Sequence, residues 1–219
     1  MKMLVIAPHR DDEMIGVGGT ILKRKAAGDH VTVCIVTARR GQELPPKAKI
    51  IHEEMLMAHE FCGVDELITM PFAAVELVDE PKKRLNKEFY DAILSAQPDE
   101  VYIPFWGDMH TDHSVVAEAA MVALRSKHNH AVRRIYAYET LSETGINYPV
   151  SEKAFIPNVF EDISLYLEKK KKALSFYKSQ FGEFPNLRSL DAVEALAKYR
   201  GATVNVNAAE AFMLVREIK

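Results

Sequence analysis

Short apolar runs of strand length alternate along this chain with longer segments of helical spacing, and few folds accommodate such an alternation. Residues 3–7 form the first run. Residues 16–28 follow as a helical segment with Ile21 and Leu22 inward and Lys23, Arg24 and Lys25 outward, stopped by Gly28. Residues 31–37 are β-branched and apolar enough to be buried on both faces. Strand-length runs at 66–70, 101–105 and 134–138 then alternate with helical patterns at 53–61, 82–96 and 111–126, where Met55, Ala58 and Phe61 form an inner stripe on the first of these helices. This order predicts an α/β fold, with a Rossmann-like, mostly parallel sheet and helices on both faces. The pattern then changes. Residues 162–179 read as one long amphipathic helix, 190–199 as another and 209–218 as an apolar terminus, so C-terminal helices should extend the sheet. With 219 residues, 48% of them hydrophobic, and no internal repeat or low-complexity linker, one domain over 1–219 is expected.

Charge and cysteine usage narrow the function. The 28 basic and 31 acidic side chains leave a net charge of −3 without a basic stripe, which argues against nucleic acid as a partner. No stretch approaches the roughly 20 apolar residues of a membrane span, and the first apolar run stops too early for a signal peptide. A cytoplasmic protein without an integral membrane segment is expected, with room for a homo-oligomer. Cys34 and Cys62 make neither a disulfide framework nor a paired-cysteine zinc site, so any metal must be held by histidine and carboxylate. The run Lys169-Lys170-Lys171-Lys172 reads as a solvated face.

Two clusters carry the chemistry. His9, Asp11, Asp12 and Glu13 lie just beyond the first strand, where open α/β sheets place their ligand sites. Adjacent carboxylates repel one another unless a cation or strong hydrogen bonds offset them, although one aspartate here could also serve as a helix N-cap. The nearby Gly16, Gly18 and Gly19 do not complete a dinucleotide fingerprint. Ile21 stands where the third glycine is needed, and no acidic residue closes the second strand. They should let the first helix approach the sheet closely. The run 101–105 delivers the chain to His110-Thr111-Asp112-His113, and parallel strands bring both clusters to one edge. His110 and His113 can share one side of a helix start, and Asp112 is suited to orient an imidazole. His52, His59, His128 and His130 read as surface residues. Of these only His52, beside the polar segment 39–49 in which Pro45-Pro46 argues against regular structure, is placed to touch a substrate.

Pro8-His9-Arg10-Asp11-Asp12-Glu13 and His110-Thr111-Asp112-His113 together resemble the Pro-His-Pro-Asp-Asp-Glu and His-x-Asp-His motifs of the PIG-L/LmbE-like deacetylases, zinc enzymes that hydrolyse N-acetylglucosaminyl groups. Weaker similarity, including Glu54, Ser179-Gln180 and Arg200-Gly201, extends over most of the chain. The resemblance implies one Zn2+ per chain held by His9, Asp12 and His113. It implies Asp11 as general base, and His110 with Asp112 behind it as acid or oxyanion stabiliser. The partner would be a small-molecule amino-sugar conjugate, released as acetate and a free amine. Glu13 falls to a helix-start or supporting residue. This chain departs from the pattern at Arg10, where relatives have proline, and at Ile51, where they often have arginine. Arg10, Arg39, Arg40 and His52 are therefore the candidates for substrate contact. Two other readings use the same clusters: a metal-dependent phosphoesterase, and a non-catalytic Rossmann-like binding domain carrying remnants of a site. The second would be expected to have lost ligands, and none of the expected set is missing.

Overall fold

A computed structural model describes residues 1–125 and 132–219. Its centre is a seven-stranded sheet in the order β3-β2-β1-β4-β5-β7-β6. The strands β1 (Lys2–Ala7), β2 (His30–Ile35), β3 (Glu66–Thr69), β4 (Glu100–Pro104) and β5 (Arg134–Tyr138) run parallel. The last two, β6 (Val159–Asp162) and β7 (Ala209–Glu217), join antiparallel. Helices α1 (Asp12–Ala26), α2 (Pro46–Cys62), α3 (Lys82–Ala96) and α4 (Thr111–Ala123) make the crossovers, and α5 (Leu167–Leu174) and α6 (Leu190–Ala202) follow.

Alternation along the strands divides the core. Met3, Val5 and Ala7 of β1 pack with α1 and α2 on one face, together with Leu174 of α5 and Val193 of α6. Leu4 and Ile6 face α3 and α4 on the other. From β1 the chain steps outward to β2 and β3, then returns to lay β4 on β1's other side. The strand order thus reverses between β1 and β4, and a crevice opens beyond their carboxyl ends.

The C-terminal third departs from the sequence expectation. The apolar segment at 209–218 is strand β7, inserted between β5 and β6. The long helix expected over 162–179 is short: β6 ends at Asp162, α5 spans only Leu167–Leu174, and turns follow. Lys170 does not belong to a solvated face. It is buried, donating to Glu210 Oε1 at 2.6 Å and to the Ile15 carbonyl at 2.7 Å. Glu210 in turn accepts from the amides of Gly19 and Thr20, fastening β7 to α1. Pro45-Pro46 does not keep the chain irregular either. Pro46 opens α2, because the first turn of a helix has no use for the missing N–H. Met55, Ala58 and Cys62 form the buried face of α2, while Phe61 is 41% exposed. The packing role of the glycines holds at Gly16, where an added Cβ would lie 2.4 Å from the Tyr138 ring and 2.9 Å from the Glu139 carbonyl. Both cysteines are free and buried. His128, His130 and the expected end of the fourth helix at 126 lie outside the described residues.

Candidate active site

The crevice between β1 and β4 gathers both clusters. His9, Arg10 and Asp11 turn off the end of β1 into α1, and His110 caps the N-terminus of α4, its Nδ1 accepting the Asp112 amide at 3.1 Å. The His9 ring centroid lies 4.5 Å from that of His110 and 5.5 Å from that of His113.

Among the described residues two groups of donors are close enough to hold one ion, and both include His9: His9/Asp12/His113 and His9/His110/Asp112. Hydrogen bonding separates them. In the first, Asp12 Oδ1 and His113 Nε2 are buried without a hydrogen-bond partner, and His113 Nε2 sits 3.3 Å from Asp12 Oδ2. His113 Nδ1 is held by Asp108 Oδ2 at 2.8 Å, which leaves the opposite nitrogen open to an ion. His9 faces the same point with Nδ1, 3.1 Å from Asp12 Oδ2, while its Nε2 rests 3.0 Å from Asp112 Oδ2. In the second group Asp112 Oδ1 is also buried without a partner, but both nitrogen and oxygen donors beside it are engaged. His110 Nδ1 accepts a backbone N–H, and Asp112 Oδ2 takes both His9 and the Val75 amide at 2.8 Å. Two imidazoles and a carboxylate with unsatisfied buried atoms suit a metal ion bound by three protein ligands with positions left open. Val75 presents its amide from the left-handed region, at φ 69°, a strained conformation for a β-branched residue and one that is tolerated here beside the site.

Charge follows the same division. Burial alone would raise Asp12, but the nearby charge of His113 and the hydrogen bond of His9 hold it well below the usual carboxylate range. Burial pulls His9 and His113 down; the carboxylates of Asp112 and Asp12 nonetheless lift His9 to about 9, and those of Asp12 and Asp108 lift His113 to about 10. Asp11 behaves differently. Burial and the neighbouring Asp12 charge push it up to about 7, partly offset by Arg188, whose guanidinium grips Asp11 Oδ2. Asp11 stands at the N-cap position of α1, yet its side chain makes no capping bond. Its carboxylate instead faces the cleft, where Arg188 meets it.

That cleft, of about 390 Å³, is lined by His9, Asp11 and His110 at the metal-ligand side, and by Arg10 and Arg39 beyond β2. Arg40 lies outside the lining, bound to Glu88 Oε2 at 2.8 Å and to the Thr69 carbonyl. His52 does not line it either. Burial and the Arg10 charge hold its imidazole below the ordinary value. Glu13 is fully buried behind the ligands, accepting from Tyr177 Oη at 2.8 Å and facing His59 Nε2 at 2.9 Å. His59 is thus an interior residue, not a surface one.

Sequence reading passed over Asp108 and Arg188. Asp108 could have been noticed as a carboxylate five positions before His113, a candidate ligand. Arg188 had no local signal, standing 177 residues from its partner Asp11.

Comparison with known proteins gives the family of the chain. Residues 4–124 match the family model described as PIG-L: GlcNAc-PI de-N-acetylase. The diacetylchitobiose deacetylase of Thermococcus kodakarensis is 30% identical over 201 residues, covering 83% of this chain and 71% of that protein. A probable N-acetyl-alpha-D-glucosaminyl L-malate deacetylase 2 of Bacillus anthracis is 27% identical over 191 residues, covering 82% and 81%. Among solved structures, a conserved protein from Thermus thermophilus superposes with a TM-score of 0.81 at 25% identity, over 100% of this chain and 96% of that one. With both motifs and strands β2, β3 and β4 inside the matched region, which covers more than half of the chain, the chain belongs to the PIG-L family.

Proposed function

We propose that the protein is a zinc-dependent hydrolase that removes the N-acetyl group from an N-acetylglucosamine-type conjugate, giving acetate and a free amine. One observation carries the reading. Buried, unpartnered Asp12 Oδ1 and His113 Nε2 converge with His9 at the edge of a cleft into which Asp11 opens. Zinc fits a set of two imidazoles and one carboxylate, and when bound it would polarise the amide carbonyl and acidify water.

The chain's own groups supply the rest. Asp11, raised to about 7, is suited to take a proton from the attacking water near neutral pH. Arg188 keeps that carboxylate oriented. Because His110 Nδ1 accepts the Asp112 amide, the neutral ring carries its proton on Nε2 and can donate to the developing oxyanion. Burial and the His9 charge lower the pKa of His110, which favours this neutral form. Asp112 holds His9 in place through its Nε2.

The test is Asp11→Asn assayed with a panel of N-acetylglucosaminyl conjugates. Zinc content should stay near one per chain, while acetate release falls by roughly 10²- to 10⁴-fold, as for removal of a general base. Near-wild-type acetate release would remove Asp11 from this role. Phosphate release from phosphoesters without acetate release would favour the phosphoesterase reading.

A further inference from the structure

We infer that Glu54, on α2 and outside the lining of the cleft, is a positioning residue for the reaction: it clamps the turn that carries Arg188 and so holds that arginine on Asp11. The inference rests on the deacetylase reading for what Asp11 does, but not for the clamp itself.

Glu54 is the first observation. It is only 7% exposed and enters no ion pair among the described residues. Both of its oxygens are spent on one residue 125 positions away, Oε1 accepting the Ser179 amide at 2.8 Å and Oε2 the Ser179 hydroxyl at 2.6 Å. Burying a carboxylate is costly unless its lone pairs are bonded, and a charged acceptor makes the stronger hydrogen bond. Helix α2 thus holds Ser179 by main chain and side chain together.

From Ser179 the hold passes to Arg188 by two routes. The Gln180 side chain bridges them, its Nε2 donating to Ser179 Oγ at 3.0 Å and its Oε1 accepting from Arg188 Nη1 at 3.4 Å. The main chain closes the same loop, with the Gly182 amide donating to the Arg188 carbonyl at 2.8 Å. Arg188 then grips Asp11 with Nη1 and donates to Ser142 Oγ through Nε at 3.1 Å. It stands outside any helix or strand with a side chain 23% exposed, so without these ties its rotamers would lead into water. Helix α2 also supplies one wall of the cleft through Lys47, Ala48 and Ile51, and Ile51 lies about one turn before Glu54. One helix therefore sets both the wall facing a substrate and the arginine facing the proton acceptor. Misplacing a catalytic group by about 1 Å can cost about 10²-fold in rate.

Acetate release from an N-acetylglucosaminyl conjugate tests the link in the wild type, Glu54→Gln, Arg188→Ala and the double variant. Glu54→Gln keeps the volume but leaves one acceptor where there were two. It should lower kcat by about 10- to 100-fold, with a smaller change in KM and with metal content unchanged. On the Arg188→Ala background the same change should cost less than about twofold, because the contact it serves is already gone. Equal losses on both backgrounds overturn the proposal, as does an unchanged kcat in Glu54→Gln. Ser179→Ala, at an exposed position, loosens the clamp from its other end and should also lower kcat. Hydrogen exchange reads the clamp without activity: in Glu54→Gln the amides of 179–188 should exchange about tenfold or more faster, while those of β1 and β4 keep their wild-type rates. Unchanged exchange in 179–188 overturns the clamp. If exchange rises there but the wild type deacetylates no conjugate, the clamp stands and the deacetylase reading falls.

Discussion

Asp108 sets which nitrogen His113 can offer. By fixing Nδ1 it leaves Nε2 buried and bare, and this makes the three-residue donor set specific. Asp108→Asn should therefore lower metal affinity by about 10- to 100-fold without abolishing it. A chelator-competition titration measures this, and unchanged affinity would contradict the assignment. The raised pKa values of His9, about 9, and His113, about 10, give a second expectation. Below those values the metal-free rings hold a proton that an ion must displace. Apparent affinity should fall as pH drops from about 9 toward neutrality, with about two protons released per ion bound at pH 7. Calorimetry in buffers of different ionisation enthalpy counts them, and release near zero would refute the protonated rings. At this scale much was legible: His9, Asp11, Asp12, His110, Asp112 and His113 all meet in one crevice. What local spacing could not give was pairing. Asp112 serves His9 more closely than His110, and Arg188 reaches Asp11 from a loop whose approach no short-range pattern encodes.

Helical periodicity located α1, α3 and α4 because their apolar faces repeat, but four consecutive lysines on α5 carry no phase. Nothing in the sequence told which one turns inward. The structure selects Lys170, buried against Glu210 and the Ile15 carbonyl, so that α5, β7 and α1 share one polar joint. Lys170→Met should destabilise the fold by about 3–5 kcal/mol, because buried Glu210 would keep its hydrogen bonds from Gly19 and Thr20 but lose its counter-charge. Urea unfolding measures this, and a loss below about 1 kcal/mol would mean that water reaches the joint. Strand β7 was legible as apolar but not as a strand between β5 and β6, because antiparallel insertion is decided by long-range pairing and not by local composition.

The whole molecule is organised around the reversal between β1 and β4, which the alternation of strands and helices made readable in outline. A metal ion held jointly by His9, Asp12 and His113 would bridge the ends of those two strands. Its removal should lower stability without dismantling the sheet. At a free metal concentration of about 100 times the dissociation constant the bound ion contributes about 2.7 kcal/mol. For a chain of this size that corresponds to a fall in Tm of roughly 5–11 °C on chelation. Differential scanning calorimetry with and without chelator checks it, and an unchanged Tm would place the ion outside the fold's stability. We expect one cooperative transition in both states, consistent with a single sheet built from both ends of the chain.

The grip of Arg188 on Asp11, and of Tyr177 on Glu13, has a bearing on redesign. The two motifs sit within the first 124 residues, but Arg188, which draws Asp11 back toward the ionised form, and Tyr177, which seats Glu13, come from beyond them. Grafting only the motifs onto another parallel sheet would transfer the ligand atoms without the tuning of the proton acceptor. Such a transplant should bind an ion and remain a poor catalyst until an arginine is supplied opposite the first aspartate.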